Sequence, residues 1–391
     1  MRHIFTLLAE SAANEEKLSH LEHAEDHVIN AGKEGYKHAV NTLNAVHKTL
    51  TGQKGGASVT EKYDGSPSVV FGHHPENGKF FVASKSAFNK NPKINYTPAD
   101  IEKNHGHAPG LVHHLKNALE HLPKVTPSKG VFQGDIMHSK EHVEKSDSKV
   151  HFTPNTLTYH EPANSEEGKK IQNSKIGIAV HTGYQGKDIQ SMKANYTPDL
   201  SGFKHHPDVH TIDVGIDKEK AKANYTPAKQ NQFHKHMAEA EAVAKTLKPS
   251  DYKKVEPHTE HLKTYINRTV REGTTPNTDD FYNHVKEQHG KEIAKVKTQK
   301  SIEAKTSGMN TQLNHIRSNS DTIGKVLQIH HHLQAAKDVQ NQALSPTQRF
   351  KTSINGTPTK GEGFVAVVNN RPTKIVDRKE FSRQNFLKFK K

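Results

Sequence analysis

Hydrophobic periodicity changes character twice along this chain, and those changes limit its fold more than any other feature. From residue 57 to about 220, "SVTEKYDGSPSVVFG", "KFFVASKSAF", "GVFQGDIM", "KIGIAVHTGY" and "VHTIDVGI" are short β-rich runs separated by turn residues. From about 228 to 350 the pattern is helical and polar, as in "KHMAEAEAVAKTL" and "IGKVLQIHHHLQAAKDV". Two more β-like runs, "GEGFVAVVNN" and "TKIVDRKEF", then close the pattern. Strands after a long helical block imply an insertion, with the chain returning to complete the first sheet. The expectation is an α+β chain with a helical segment over 1–55, a β-rich core over 56–225 and 351–391, and a helical insertion over 226–350. In the first segment Tyr36, Val40, Leu43, Val46 and Leu50 share one helical face, with a break at Gly32 and Gly35.

Only 31% of the residues are hydrophobic and the mean hydropathy is -0.87, so any core must be local. A net charge of +14 points to a polyanionic partner, because clustered Lys and Arg attract phosphate backbones. The bland reading of the same charge is a solvated basic surface. The absence of cysteine excludes disulfides, thiolate zinc sites and a cysteine nucleophile, so covalent chemistry must use another side chain. "MRHIFTLLAESAANEEKL" has too short an apolar run for a signal peptide or spanning helix, which gives a cytoplasmic expectation with no membrane partner. Among 31 histidines, His20, His23 and His27 have helical spacing; solvated helix surface outweighs a metal site there. The tetrapeptide "NYTP", at Asn95, Asn195 and Asn224, reads as a recurring turn or helix-start signal.

Lys62 lies in "EKYDGSPSVVFG", at the end of a β-type run and just before "DGSP". Gly65 would allow close backbone approach to a ligand. A lysine that is desolvated, or set among cations, can lose its proton and attack an electrophile. A K-x-D-G tetrapeptide by itself is also a common surface turn.

The segments "EKYDG", "FFVASKSAF", "VFQGD", "IGIAVHTGY", "EGFV" and "TKIVD" resemble, in order and local character, the motifs of the covalent nucleotidyltransferases. That superfamily contains the ATP-dependent RNA and DNA ligases and the mRNA capping enzymes, and the likeness is to a diverged phage-type member. It spans roughly residues 57–220 and 355–380. It implies a nucleotidyltransferase core built on antiparallel sheets, binding ATP and magnesium, or manganese in its place. Lys62 would be the nucleophile that becomes a lysyl-AMP, with Asp64 and Gly65 of the same motif in the nucleotide site. Lys85 would handle phosphate or the nucleic-acid end, and Asp135 the ribose hydroxyls. The strand carrying Ile178 would lie under the purine, Glu362 would help hold the metal, and Lys374 would face the α-phosphate.

The sequence departs from the family pattern at Pro67 and Val367, where the family usually has cations, and in the length of its helical block. An OB-fold, carried after the last motif by DNA ligases and capping enzymes, is not expected in "RQNFLKFKK", which favours RNA-end sealing. No base-reading motif is visible, so nucleic acid should be held by its backbone and ends. The expected function is therefore an ATP-dependent polynucleotide ligase acting on RNA or DNA ends. The alternative is a non-catalytic basic protein that binds nucleic acid on a degenerate scaffold of the same fold.

Overall fold

Val, Ile and Phe dominate the runs expected as strands because branched and aromatic side chains pack well on a pleated surface. A computed structural model of the chain describes residues 21–146 and 148–378. It contains two units: Ser58–Asp217 with Thr347–Pro372, and Glu22–Ala57 with Lys218–Pro346 and the described residues from 373 onward. The N-terminal helix thus shares a unit with the later helical block. Residues 1–20, with His20, and the basic C-terminal stretch "RQNFLKFKK" lie outside the described residues.

The first unit carries β1 (Ser58–Lys62), β2 (Ser68–His73), β3 (Phe80–Ala83), β4 (Val131–Ser139), β5 (Glu144–Ser146), β6 (Lys149–Phe152), β7 (Thr158–Pro162), β8 (Ile176–Gln185), β9 (Lys193–Asn195), β10 (Val209–Ile212), β11 (Lys351–Ile354), β12 (Thr357–Thr359) and β13 (Gly363–Val368). One sheet has the order β10-β8-β4-β2-β3, with β9 also beside β8. A second runs β12-β11-β7-β6-β5, and β13 pairs with β1. These pairings are antiparallel except β8 with β10. The returning segment therefore does not extend the sheet of β2, β4 and β8. It pairs with β1 and lengthens the second sheet.

Alternation along the strands divides the large sheet into two faces. Val69, Phe71, Ile136, Ile178 and Val180 are buried against Ile101 of helix Pro98–His105 and Val112, Leu115 and Ala118 of helix Pro109–His121. Each of these larger side chains contributes about 1.5–3 kcal/mol by leaving water. Val70, Phe81, Val131 and Tyr184 form a smaller cluster on the opposite face. The register of β4 with β8 steps from Gln133–Thr182 to Gly134–Val180, so His181 is bulged out. A bulge of this kind re-aims a side chain.

The second unit is helical. Its helices are His27–Thr51, Lys218–Asn224, Pro227–Lys245, Pro249–Val255, Thr259–Glu272, Thr278–Ala294, Gln299–Ser318 and Ser320–Leu344, and none of the described strands falls within 228–350. The first helix bends at Gly32, whose φ of 52° and ψ of -127° are open to glycine. Gly35 lies inside the helix, where a Cβ would meet the His27 carbonyl oxygen. Leu43, Val46 and Leu50 are buried, while Tyr36 and Val40 are half-buried. Lys337, wholly buried, donates to Glu25 at 2.7 Å, and Asp26 is held by Arg378 at 2.6 Å and His330 at 2.9 Å. His23 lies in this network, where burial and the cations Lys337 and Arg378 hold it well below the ordinary histidine range. His27 pairs with Glu22 at 3.0 Å. Neither histidine belongs to a described group of ligand atoms close enough to hold an ion.

Two of the three "NYTP" segments start helices: Thr97 and Thr226 cap the helices that begin at Pro98 and Pro227. The third forms a turn, in which Asn195 Oδ1 accepts from the Thr197 amide at 3.1 Å. Among the described residues, no helix is long and apolar enough to cross a membrane.

Candidate functional site

The pairing of β1 with β13 sets Lys62 opposite Gly363, and this ladder brings Glu362 to the lysine. Lys62 Nζ lies 2.6 Å from Glu362 Oε2, with the two side chains 23% and 10% exposed. Burial disfavours the ammonium, but Glu362, Asp135 and Asp64 outweigh it and raise Lys62 above the ordinary lysine range. Three carboxylates thus act on one amine.

Asp64 and Gly65 each make contacts that hold the loops beside Lys62. The Asp64 carboxylate accepts from Asn155 Nδ2 at 2.8 Å and from the Thr156 and Leu157 amides at 2.7 and 2.9 Å. The Asp64 amide donates to Tyr159 Oη at 2.7 Å. This carboxylate is therefore engaged in holding the 155–157 loop. A Cβ on Gly65 would sit 2.6 Å from Asp135 Cβ and 2.8 Å from Met137 Sδ. The close approach at Gly65 is thus to β4, where Ser66 donates to the Ile136 carbonyl and the Pro67 carbonyl accepts from the Ile136 amide, each at 3.0 Å. These contacts fix Lys62 relative to Asp135.

Asp135 lies opposite Ser68 on β2 and 3.5 Å from His181 Nε2. Burial favours its protonated form, but His181, Lys62 and Ser68 outweigh this and hold it below the usual carboxylate range. Lys85, half-buried after β3, is pulled below the ordinary lysine range by burial, with Asp135 partly restoring it. Lys62, Asp135, His181, Lys85 and Glu362 therefore form one electrostatic cluster.

Two expectations are corrected or moved. Ile178 is fully buried in the helix-side core, so its side chain does not line a nucleotide site. Opposite Asp135 in the ladder stands Ala179, one residue along, and such a slip exchanges faces. Lys374 sits on strand Arg371–Val376 in the part that belongs to the helical unit, where its amide donates to the Glu22 carbonyl at 2.8 Å. Of the two departures, Val367 is buried opposite Ser58, and Pro67 is held against β4.

Sequence reading missed His181. Its signal was the alternation in "IGIAVH", interrupted by a bulge that only strand pairing reveals. It also missed the network behind β1. Buried Glu61 accepts from Tyr63 Oη and the Arg349 amide, both at 3.1 Å, and burial pushes its carboxyl up to about 7. Nearby, Arg349 pairs with Asp213 at 3.0 Å, and Glu167 with His210 at 2.9 Å.

The chain belongs to a family of unknown function, DUF6267, which matches residues 15–390. No curated protein matches it, and no solved structure does.

Proposed function

We propose that this member of a family of unknown function is an ATP-dependent polynucleotide ligase with a nucleotidyltransferase core. The observation that carries the reading is the Lys62–Glu362 pair, a partly buried lysine at a strand end held by a buried carboxylate brought from 300 residues away. In this reading the neutral Lys62 amine attacks the α-phosphorus of ATP, forming a nitrogen–phosphorus bond as pyrophosphate leaves. The AMP then passes to a 5′-phosphate end of RNA or DNA, freeing Lys62. A 3′-hydroxyl attacks that end, joins the strands and releases AMP.

In this reading Asp135 accepts from ribose hydroxyls, and Lys85 supplies a cation for phosphate. Glu362 and the ligand's phosphates suit magnesium, which takes one or two carboxylates and commonly completes its shell with substrate phosphates and water. Bound there, the ion would offset triphosphate charge and compete for the carboxylate that otherwise holds the Lys62 proton.

The rival reading, a non-catalytic basic protein on the same scaffold, is favoured by buried Val367 and strand-bound Pro67, which leave two of the family's cation positions without a charge. It predicts binding to nucleic acid without nucleotide transfer. In both readings affinity should fall with salt, log K sloping by about -0.7 to -0.9 against log salt per phosphate neutralised.

Incubation of the protein with α-labelled ATP or GTP and magnesium or manganese separates the two. The ligase reading expects acid-labile, base-stable label on the protein, lost in Lys62→Arg because a guanidinium stays protonated. Glu362→Ala should also lose it, and His205→Ala should not. No label with any nucleotide or metal hands the chain to the rival reading, and undiminished label in Lys62→Arg assigns the nucleophile to another lysine.

A further inference from the structure

The helical unit carries a second cluster of ligand-type side chains, remote in sequence from the lysine motif. His236 and Glu239 lie three residues apart on helix Pro227–Lys245 and so share a face. His332 comes from helix Ser320–Leu344, which packs on it. His236 Nδ1 is 3.4 Å from His332 Nδ1 and 3.4 Å from Glu239 Oε2, and His332 Nδ1 is 3.1 Å from the same oxygen. Two imidazole nitrogens and one carboxylate oxygen thus form a nearly equilateral triangle.

That triangle has a chemical meaning. Zinc bound to imidazole and carboxylate at about 2.0–2.1 Å in tetrahedral geometry separates its ligand atoms by about 3.3–3.4 Å. The three distances match one face of such a tetrahedron. The side chains are 27%, 39% and 23% exposed, so an ion can enter and water can complete the shell. With both imidazoles neutral the set carries one negative charge, and Lys235 is a cation close enough to His332 to act on it.

The contrast with Glu25, Asp26 and His330 is instructive. Those residues are also close enough to hold an ion, but Lys337 and Arg378 already neutralise their carboxylates at 2.7 and 2.6 Å. Among the described residues, the ion-pair partners of Glu239 are His236 and His332 themselves.

We propose that His236, Glu239 and His332 form a binding site for a divalent transition metal of the zinc class, tying together two helices whose ligands stand 96 residues apart. An ion that binds the folded chain alone stabilises it by mass action. The site requires no nucleotide and is independent of the ligase reading.

The test uses the full chain, stripped with chelator and titrated with zinc against a chromogenic chelator, with thermal unfolding followed in parallel. The wild type should bind one zinc more tightly than its remaining histidines do and unfold at a higher temperature when loaded. His236→Ala and His332→Ala should each weaken that site by about tenfold or more, whereas His331→Ala, beside His332, should leave it intact. If either alanine variant does not fold, His236→Gln and Glu239→Gln are read in the same way. Cobalt in place of zinc should give the intense visible bands of a four-coordinate ion. Absence of a distinct site, affinity unchanged in both histidine variants, or a weak six-coordinate cobalt spectrum would each overturn the proposal.

Discussion

Lys62 and Glu362 stand 300 residues apart in sequence and 2.6 Å apart in space. Because the pair is only slightly exposed, Glu362→Gln leaves an ammonium with less compensation and should cost roughly 1–3 kcal/mol. Lys62 has its folded pKa raised above 10.5, so its contribution is complete below that pH and disappears as pH rises through the folded value. Urea unfolding of wild type and Glu362→Gln should therefore converge at alkaline pH. Curves that keep a constant separation would show that the pair contributes no such linkage.

Asp64→Ala tests whether this residue holds structure. The change removes three hydrogen bonds and strands the Thr156 and Leu157 amides, at a cost of about 2–4 kcal/mol. Hydrogen exchange at those two amides should quicken before exchange in β4 does. Unchanged protection there would mean that the loop is held by other contacts.

Gly65→Ala drives a Cβ to within 2.6 Å of Asp135 Cβ, so β4 or the loop must shift. The expected loss is about 1–3 kcal/mol, with an altered environment at Asp135. Gly110→Ala, in a helix with nothing within 4 Å, is the control and should be neutral or mildly stabilising. Equal denaturation midpoints for the two variants would contradict the packing described.

Glu61 gives a pH dependence of the opposite origin. Burial raises its carboxyl from 4.5 to about 7, so the folded state binds this proton more tightly than the unfolded state. The associated stability is complete below pH 4.5 and is lost as pH rises through about 7. Relative to wild type, Glu61→Gln should therefore gain up to roughly 3 kcal/mol across that window. The difference between the two proteins isolates Glu61 from buried His138, whose depressed pKa works in the other direction. A difference that does not change with pH would exclude the assignment.

By itself, the sequence determined the elements whose cause is local. Short runs rich in β-branched and aromatic residues, bounded by turn residues, marked β1 to β4, β8, β10 and β13. Polar helical periodicity marked the helices between 228 and 350, and Thr-Pro pairs marked two helix starts. Lys62 and Glu362 stood out because each sits in a short, distinctive run. Strands β5, β6 and β7 did not, because "EKS", "KVHF" and "TYHEP" are short, mostly polar runs that depend on cross-strand partners for their order. The tertiary structure alone decided what Asp64 and Gly65 do, since their partners at 135–137 and 155–157 are remote in the chain. A bulge at His181, invisible without the facing strand, put Ala179 opposite Asp135 and sent Ile178 into the core. Long-range pairing likewise produced the buried Lys337–Glu25 contact and the His236–Glu239–His332 triangle, because polar side chains carry no periodic signal that names their partners.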